Sequence, residues 1–328
     1  MEKELVVSIL EALAVGDSYG KSTEFASRAQ ILSKFKSIDR LLKPSESLAH
    51  TDMRYAQVTD DTEQNVFLIE DYSKSGKITP EIAAQSILRW YDESPEPQKY
   101  IGPSTSKALD AIRAGNPVEE TGKSGASCGG VMRAPAAFLC SNSLETLQKN
   151  VFATLCPTHN TAAAMEAAMG YAYALWAMGT STDITYITNF AKEGCIYGRA
   201  MVCQTMDLAC APACDMRITH ILSVWNTFKT QENLMDFLFY VYGTTISSCD
   251  VFVAAYALFL WAKSDVFLAI KMATMLGGDT DTIACLAAVL CCTYAKNHNI
   301  PQNILSDVKT NNCIDFDKTA QYVLDFHK

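Results

Sequence analysis

Gly277-Gly278-Asp279-Thr280-Asp281-Thr282 is the stretch on which the reading turns, and a long apolar run follows it from Ile283. Paired glycines let the backbone turn tightly and bring neighbouring side chains toward one centre. Asp279, Asp281 and the Thr282 hydroxyl then offer hard oxygen ligands suited to Mg²⁺, Mn²⁺ or Ca²⁺. A second stretch of the same kind lies near the N-terminus, Thr59-Asp60-Asp61-Thr62, again just before a helical apolar pattern. Taken singly, an acidic pair ahead of a helix is a cap that complements the helix dipole. Two such clusters in one chain, each with Thr beside Asp, point to a divalent-metal site, potentially binuclear.

The rest of the composition sets bounds on what surrounds that site. A chain of 328 residues has room for one large domain or two ordinary ones. With 49% hydrophobic and 19% charged residues it is globular and not disordered. A net charge of −9 argues against a nucleic-acid partner, because phosphate binding needs a surplus of Lys and Arg. A small phosphate-bearing ligand stays open, since bound metal and backbone amides can supply positive potential. The twelve cysteines, Cys285, Cys291 and Cys292 among them, sit in apolar or small-residue stretches and not in a loop-rich disulfide frame. Cys210-x₃-Cys214 has no matching second half, which argues against zinc there. They read as reduced core thiols of a cytoplasmic protein. Glu2, Glu4 and Glu11 interrupt any apolar leader, and no membrane-spanning run occurs.

Helical spacing recurs from end to end. Leu5, Val6, Ile9, Leu10 and Leu13 mark a helix over 3–15, which Gly16-Asp17-Ser18-Tyr19-Gly20 is expected to end, with Glu24 in the loop beyond. Residues 27–58 are polar and irregular. Helices are expected from Glu63 to about Gly76, from the Thr79-Pro80-Glu81 start to Ser94-Pro95, and from Ser106 to Ala114. Further helices are expected over 161–178, 184–210, 218–228, 231–242, 252–261, 266–276 and 283–294, with a mixed tail.

Between the early and late helices lies the only stretch dense in Gly and Ser: Ser124-Gly125-Ala126-Ser127-Cys128-Gly129-Gly130. Small residues before a helix can present several backbone N–H groups to an anion, or simply make a tight turn. Without a Lys-Ser/Thr ending and a preceding strand it is no nucleotide-triphosphate loop. His159, in Thr158-His159-Asn160, either caps the helix that follows or hydrogen-bonds a ligand. No strand series, βαβ rhythm or repeat is found. Metal half-sites so far apart in sequence can cooperate only within one compact unit, so the expectation is a single all-α domain over residues 1–328.

In this order the motifs resemble the ADP-ribosylglycohydrolases, the group that includes the dinitrogenase-reductase-activating glycohydrolase and the ADP-ribosylhydrolases. The matching pieces are Gly16-Asp17-x-x-Gly20-x-x-x-Glu24, Thr59-Asp60-Asp61-Thr62, Ser127-x-Gly129-x-x-Met132-Arg133-x-x-Pro135, Thr158-His159 and Gly277-Gly278-Asp279-Thr280-Asp281-Thr282. The resemblance implies a compact all-helical fold with two divalent cations, Mg²⁺ or Mn²⁺, in a cleft. Their ligands would be Thr59, Asp60, Asp61, Asp279, Asp281 and Thr282, with Asp281 as the bridge. Glu24, with Asp60 and Asp61, would carry the catalysis, as base, acid or ligand. Ser124, Gly125, Ala126, Ser127, Cys128 and Gly129 would hold the diphosphate and distal ribose, and His159 would touch the same part of the ligand. Cys128 departs from the Asn usual in the family before that glycine, and Ala287, Ala288, Cys291 and Cys292 stand in the helix after the last motif, where the family commonly carries Gly at close-packing points.

The activity implied is hydrolysis of a glycosidic bond through an oxocarbenium-like transition state. ADP-ribose would leave a modified arginine or serine side chain, so the partner is ADP-ribose or an ADP-ribosylated protein, met by a monomer. Two other readings stand beside it. One is hydrolysis of a free ADP-ribosyl or nucleoside-like compound. The other is a catalytically silent, crystallin-like structural or binding protein, against which the intact carboxylate set argues.

Overall fold

The structure, a computed structural model, describes residues 1–203 and 212–328. In chain order its helices are α1 (Lys3–Gly20), α2 (Arg28–Lys34), α3 (Asp60–Ser75), α4 (Pro80–Glu93), α5 (Pro103–Arg113), α6 (Val118–Thr121), α7 (Ala134–Leu139), α8 (Leu144–His159) and α9 (Ala162–Met178). Then come α10 (Ile184–Cys203), α11 (Cys214–Ser223), α12 (Gln231–Phe237), α13 (Ser248–Ala262), α14 (Val266–Thr274), α15 (Thr280–Ala295), α16 (Gln302–Asn312) and α17 (Phe316–Phe326). Among the described residues no strand forms, and one isolated bridge pairs Ser127 with Ser247. The all-α expectation holds. The last part of the helix expected over 184–210 and the first cysteine of Cys210-x₃-Cys214 lie outside the described residues.

Local chemistry explains most boundaries. Thr79 accepts a hydrogen bond from the Ile82 amide at 3.3 Å, and Pro80 occupies the first helical position of α4. Gly76 ends α3 in the left-handed region, at φ +65°. Helices α9, α13 and α15 are apolar on every side, and each is buried almost throughout. They make the centre, and one continuous apolar core runs from Val6 to Val323.

Two expectations need correction. Helix α1 does not stop before Gly16-Asp17-Ser18-Tyr19-Gly20; it runs through Gly20. The two glycines face α15, where a Cβ at Gly16 would lie 2.7 Å from the Ala284 carbonyl oxygen and one at Gly20 2.4 Å from that of Thr280. They are contact points between two backbones, not turn residues. Likewise His159 does not cap the start of the alanine-rich helix. It is the last residue of α8, a helix absent from the expectations above although Leu144, Leu147, Val151 and Leu155 recur at helical spacing, and Thr161 is the N-cap of α9.

Candidate active site

The loop that leads into α15 is held from two sides. Gly277 and Gly278 adopt φ of +90° and +84°, and a Cβ on Gly278 would stand 2.0 Å from the Thr244 carbonyl oxygen. Only glycine meets both demands. The Asp279 amide donates to Thr244 O at 2.8 Å, and Thr244 Oγ1 donates to Gly277 O at 2.7 Å. From the other side the Phe25 amide donates to Gly278 O at 2.7 Å, and the Gly278 amide donates to Ala26 O at 3.0 Å. This exchange ties the residues beside Glu24 to the Asp279–Asp281 loop, 254 positions along the chain from Phe25 to Asp279 by number.

The second half-site is set by Asp17, wholly buried in the last turns of α1. Its carboxylate accepts from the Thr59 amide at 2.9 Å, Thr59 Oγ1 at 2.9 Å, the Thr62 amide at 3.1 Å and Thr62 Oγ1 at 2.5 Å. Burial pushes the Asp17 carboxyl up to about 7 against the pull of these donors. Asp17 therefore fixes the first turn of α3 and points Asp60 and Asp61 at the loop from α15. Thr59 is buried with its hydroxyl donated to Asp17, so only its oxygen lone pairs remain for a cation.

Glu24, Asp60, Asp61, Asp279, Asp281 and Thr282 line one cleft. Oxygen atoms of Glu24, Asp279 and Asp281 lie within 4.8 Å of one another. Thr282 Oγ1 donates to Asp61 Oδ2 at 3.1 Å, yet Asp61 Oδ1 and Asp279 Oδ2 are buried with no hydrogen-bond partner. Burial first, and the Asp281 charge next, push the carboxyls of Glu24, Asp60, Asp61 and Asp279 well above their ordinary range. Asp281 is the charge that presses on all four, so it sits at the centre of the set. Orphaned buried carboxylate oxygens with mutual repulsion are what a hard divalent cation relieves, so this donor set fits one.

A second wall comes from the Gly/Ser loop. Ser127, Cys128 and Gly129 line the cleft, whereas Ser124 and Ala126 are exposed away from it and Gly125 is packed on the Thr158 carbonyl. His159 is fully buried behind the loop and reaches the cleft only through Ser127, whose Oγ is 2.9 Å from Nε2. Arg133, also fully buried, donates to Gln64 Oε1, Thr105 Oγ1 and Thr158 Oγ1. Thr158 Oγ1, already accepting from Arg133, spends its hydrogen on His159 Nδ1 at 2.8 Å. Nδ1 is then an acceptor, Nε2 carries the hydrogen and donates it to Ser127, and the Ser127 hydroxyl hydrogen is left for the cleft. Burial and the Arg133 charge hold His159 neutral, its pKa well below the ordinary value.

Sequence reasoning missed His50, Lys21 and Tyr100. His50 Nε2 pairs with Glu24 Oε2, and both His50 and Phe25 take left-handed backbone conformations, at φ +51° and +59°. Such strain in non-glycine residues persists where tertiary contacts enforce it. Lys21 is buried, with its ammonium on the carbonyls of Arg54 and Gln57. Tyr100, at the rim, donates to Glu63 Oε2 at 2.9 Å, the same oxygen that receives Trp90 Nε1 at 2.8 Å. Lone residues in irregular stretches carry no spacing signal, so only the fold could find them.

Comparison with known proteins gives the family and the fold. The family model described as ADP-ribosylglycohydrolase matches residues 2–326. The uncharacterized protein YegU of Escherichia coli (strain K12) is 26% identical over 98% of this chain and 96% of its own length. An uncharacterized protein of Archaeoglobus fulgidus is 27% identical over 99% of this chain and 97% of its own. A solved structure titled ADP-ribosylglycohydrolase-related protein complex shares the fold, with a TM-score of 0.68 and 20% identity, covering 99% of this chain and 97% of that one. The chain belongs to the ADP-ribosylglycohydrolase family.

Proposed function

We propose that this member of the family is a metal-dependent hydrolase that releases ADP-ribose from a modified arginine or serine side chain. The observation that carries the reading is the convergence of Asp60, Asp61, Asp279 and Asp281 on one cleft with two buried carboxylate oxygens unpartnered. These residues, with Thr282 and the lone pairs of Thr59, would hold two Mg²⁺ or Mn²⁺ ions, and Asp281 would serve both. Bound there, the cations supply Lewis-acid charge and neutralise enough carboxylate for an acidic protein to accept an anionic ligand.

The cavity measures about 220 Å³, below the ~300–1,000 Å³ of sites that enclose a drug-sized ligand. It suits one ribose and its scissile bond, with the remaining nucleotide lying across the rim. Ser127 and the Cys128–Gly129 backbone orient that ribose and its phosphate. Glu24 stands at the carboxylate edge, one oxygen held by His50, and holds or moves the proton of the attacking water or leaving group. Tyr100 and Ile101 also line the cleft. No helix among the described residues is long and apolar enough to cross a membrane. The protein would work as a cytoplasmic monomer on ADP-ribosylated protein.

Metal content by calorimetry, paired with ADP-ribose release from arginine- and serine-modified peptides, tests the reading. Two bound ions and release from one linkage class are expected. Absence of binding at saturating Mg²⁺ and Mn²⁺ would remove its basis.

A further inference from the structure

Away from the cleft, four helices bring three cysteines and a glutamate together in the core. Glu166 comes from α9, Cys195 from α10, Cys214 from α11 and Cys249 from α13. The donor atoms of Glu166, Cys214 and Cys249 all lie within 4.8 Å of one another. The Cys214 thiol neighbours both the Cys249 and the Cys195 thiols. All four residues are buried: Cys195, Cys214 and Cys249 are 0% exposed and Glu166 3%. We propose that Cys195, Cys214, Cys249 and Glu166 form a second metal site, distinct from the carboxylate cleft, that takes one thiophilic divalent cation such as Zn²⁺.

Three considerations carry it. The first is ligand type and number. Two sulfurs and a carboxylate oxygen, from Cys214, Cys249 and Glu166, lie close enough to close on one ion, and the Cys195 thiol beside Cys214 would complete the four donors that structural zinc takes, with Cys and carboxylate among its ligand types. The second is charge. Three thiolates and a carboxylate leave a surplus of negative charge around a divalent ion, and the surroundings supply the complement. Cys214 is the first residue of α11, at the positive end of the helix dipole, and its amide donates to Glu166 Oε1 at 2.7 Å. Arg199 reaches Glu166 Oε1 at 3.2 Å and Asp215 Oδ1 at 3.0 Å. The third is what the thiols do otherwise. Cys249 Sγ finds only the Ala163 carbonyl, at 3.8 Å, beyond its thiol neighbours. Free buried cysteine ordinarily packs as a small hydrophobe, but these three crowd one another and a carboxylate instead of spreading through the core. A cysteine ligates as the thiolate, so at neutral pH binding releases one proton per thiol that coordinates. The site would clamp α9, α10, α11 and α13 together, a structural role.

The test uses the full chain, reduced and stripped of metal, with the carboxylate cleft saturated by Mg²⁺. Co²⁺ is titrated as the probe. The expected result is one equivalent giving intense tetrahedral visible bands and a near-ultraviolet thiolate-to-cobalt charge-transfer band, displaced by Zn²⁺. Cys249→Ser and Cys195→Ser should each lose that band and weaken Zn²⁺ by at least about 100-fold, beyond the 10–100-fold cost of losing only an outer-shell partner. Asp281→Ala, which disrupts the cleft, should keep the band. Because a serine variant could fold poorly, the native chain gives an independent readout: Zn²⁺ in the presence of Mg²⁺ should raise its melting temperature with a release of protons measurable in weakly buffered solution. No charge-transfer band in the native chain, a band that survives in both serine variants, or no proton release would overturn the site.

Discussion

Glu24 is where the residue-scale argument is sharpest. Glu24→Gln keeps size and hydrogen bonding but removes the ionisable group, and general acid–base help is worth roughly 10²–10⁴-fold in rate. Turnover should fall by that order at saturating Mg²⁺, while ADP-ribose affinity, measured in parallel by calorimetry, changes little. Unchanged turnover would leave the chemistry to the cation-binding carboxylates. Ser127 offers a second test. Since His159 already donates to its oxygen, Ser127→Ala removes a hydroxyl hydrogen that faces the cleft, costing about 0.5–1.5 kcal/mol of ADP-ribose affinity, and it also leaves the buried His159 Nε2–H without an acceptor, so the melting temperature falls as well. His159→Ala should lower stability by about 1–3 kcal/mol while keeping the Ser127 hydroxyl in the cleft, because Thr158 and Ser127 lose their partner in a buried network. A Ser127→Ala protein that binds ADP-ribose as tightly as the native chain would show that the relay is structural only. Thiol chemistry follows burial in the same way: Cys313 is exposed and Cys128 half-buried, while the other cysteines with described side chains are buried and free. Native thiol titration should find Cys313 first and Cys128 next, with Cys128 shielded by ADP-ribose.

Between elements, the close approach of α1 and α15 decides whether the two half-sites meet. Asp17 rides on α1 and orients α3, while Asp279 and Asp281 ride on the start of α15. A methyl group at Gly20 would meet the Thr280 carbonyl and Asp281 Cα, at 2.4 and 2.6 Å, and neither is the end of a flexible side chain. Gly20→Ala must therefore push the helices apart. Overpacking of this kind costs about 1–3 kcal/mol, and here it also moves one half of the cation-binding set against the other. Chemical denaturation should show that loss, and Mn²⁺ affinity should fall with it. Loss of stability with unchanged Mn²⁺ affinity would mean that the helices part without disturbing the cleft.

For the molecule as a whole, the carboxylate cluster makes stability depend jointly on pH and metal. Asp17 is raised to about 7, and Glu24, Asp60, Asp61 and Asp279 are raised as well, chiefly by burial. Unfolded carboxyls titrate near 4. Between that value and the folded ones the native state holds more protons than the unfolded chain, so metal-free stability falls as pH rises. The metal-free protein should lose melting temperature steadily from about pH 4 through about pH 7. Mg²⁺ or Mn²⁺ should restore it, by an increment that grows with pH because the cation replaces the missing protons. Scanning calorimetry at several pH values, with chelator and with metal, checks both slopes. Asp281→Ala should flatten them, as it removes the charge that presses on the others.

Much of this was legible without coordinates. Helical spacing, with no alternating stretch, determined the all-helical class, because the period of an apolar face is a local property of the chain. The motif order determined the candidate acids, because hard oxygen ligands beside glycine are local chemistry too. What depended on distant partners was not legible. Gly16 and Gly20 read as a turn, since a glycine that lets two backbones touch looks the same in sequence as one that bends the chain. Without α8 among the expected helices, His159 reads as the start of α9 and not as the end of the helix before it. Whether His159 faces a ligand or stands behind Ser127, and whether His50 finds Glu24, depends on side chains far apart in sequence arriving at one place. The same holds for Cys195, Cys214, Cys249 and Glu166, whose spacings match no metal motif. The sequence determined the helical class and which acids stand at helix starts. Only the tertiary structure decided which groups are buried together, because burial and electrostatic coupling arise from packing between helices and not from any stretch of chain.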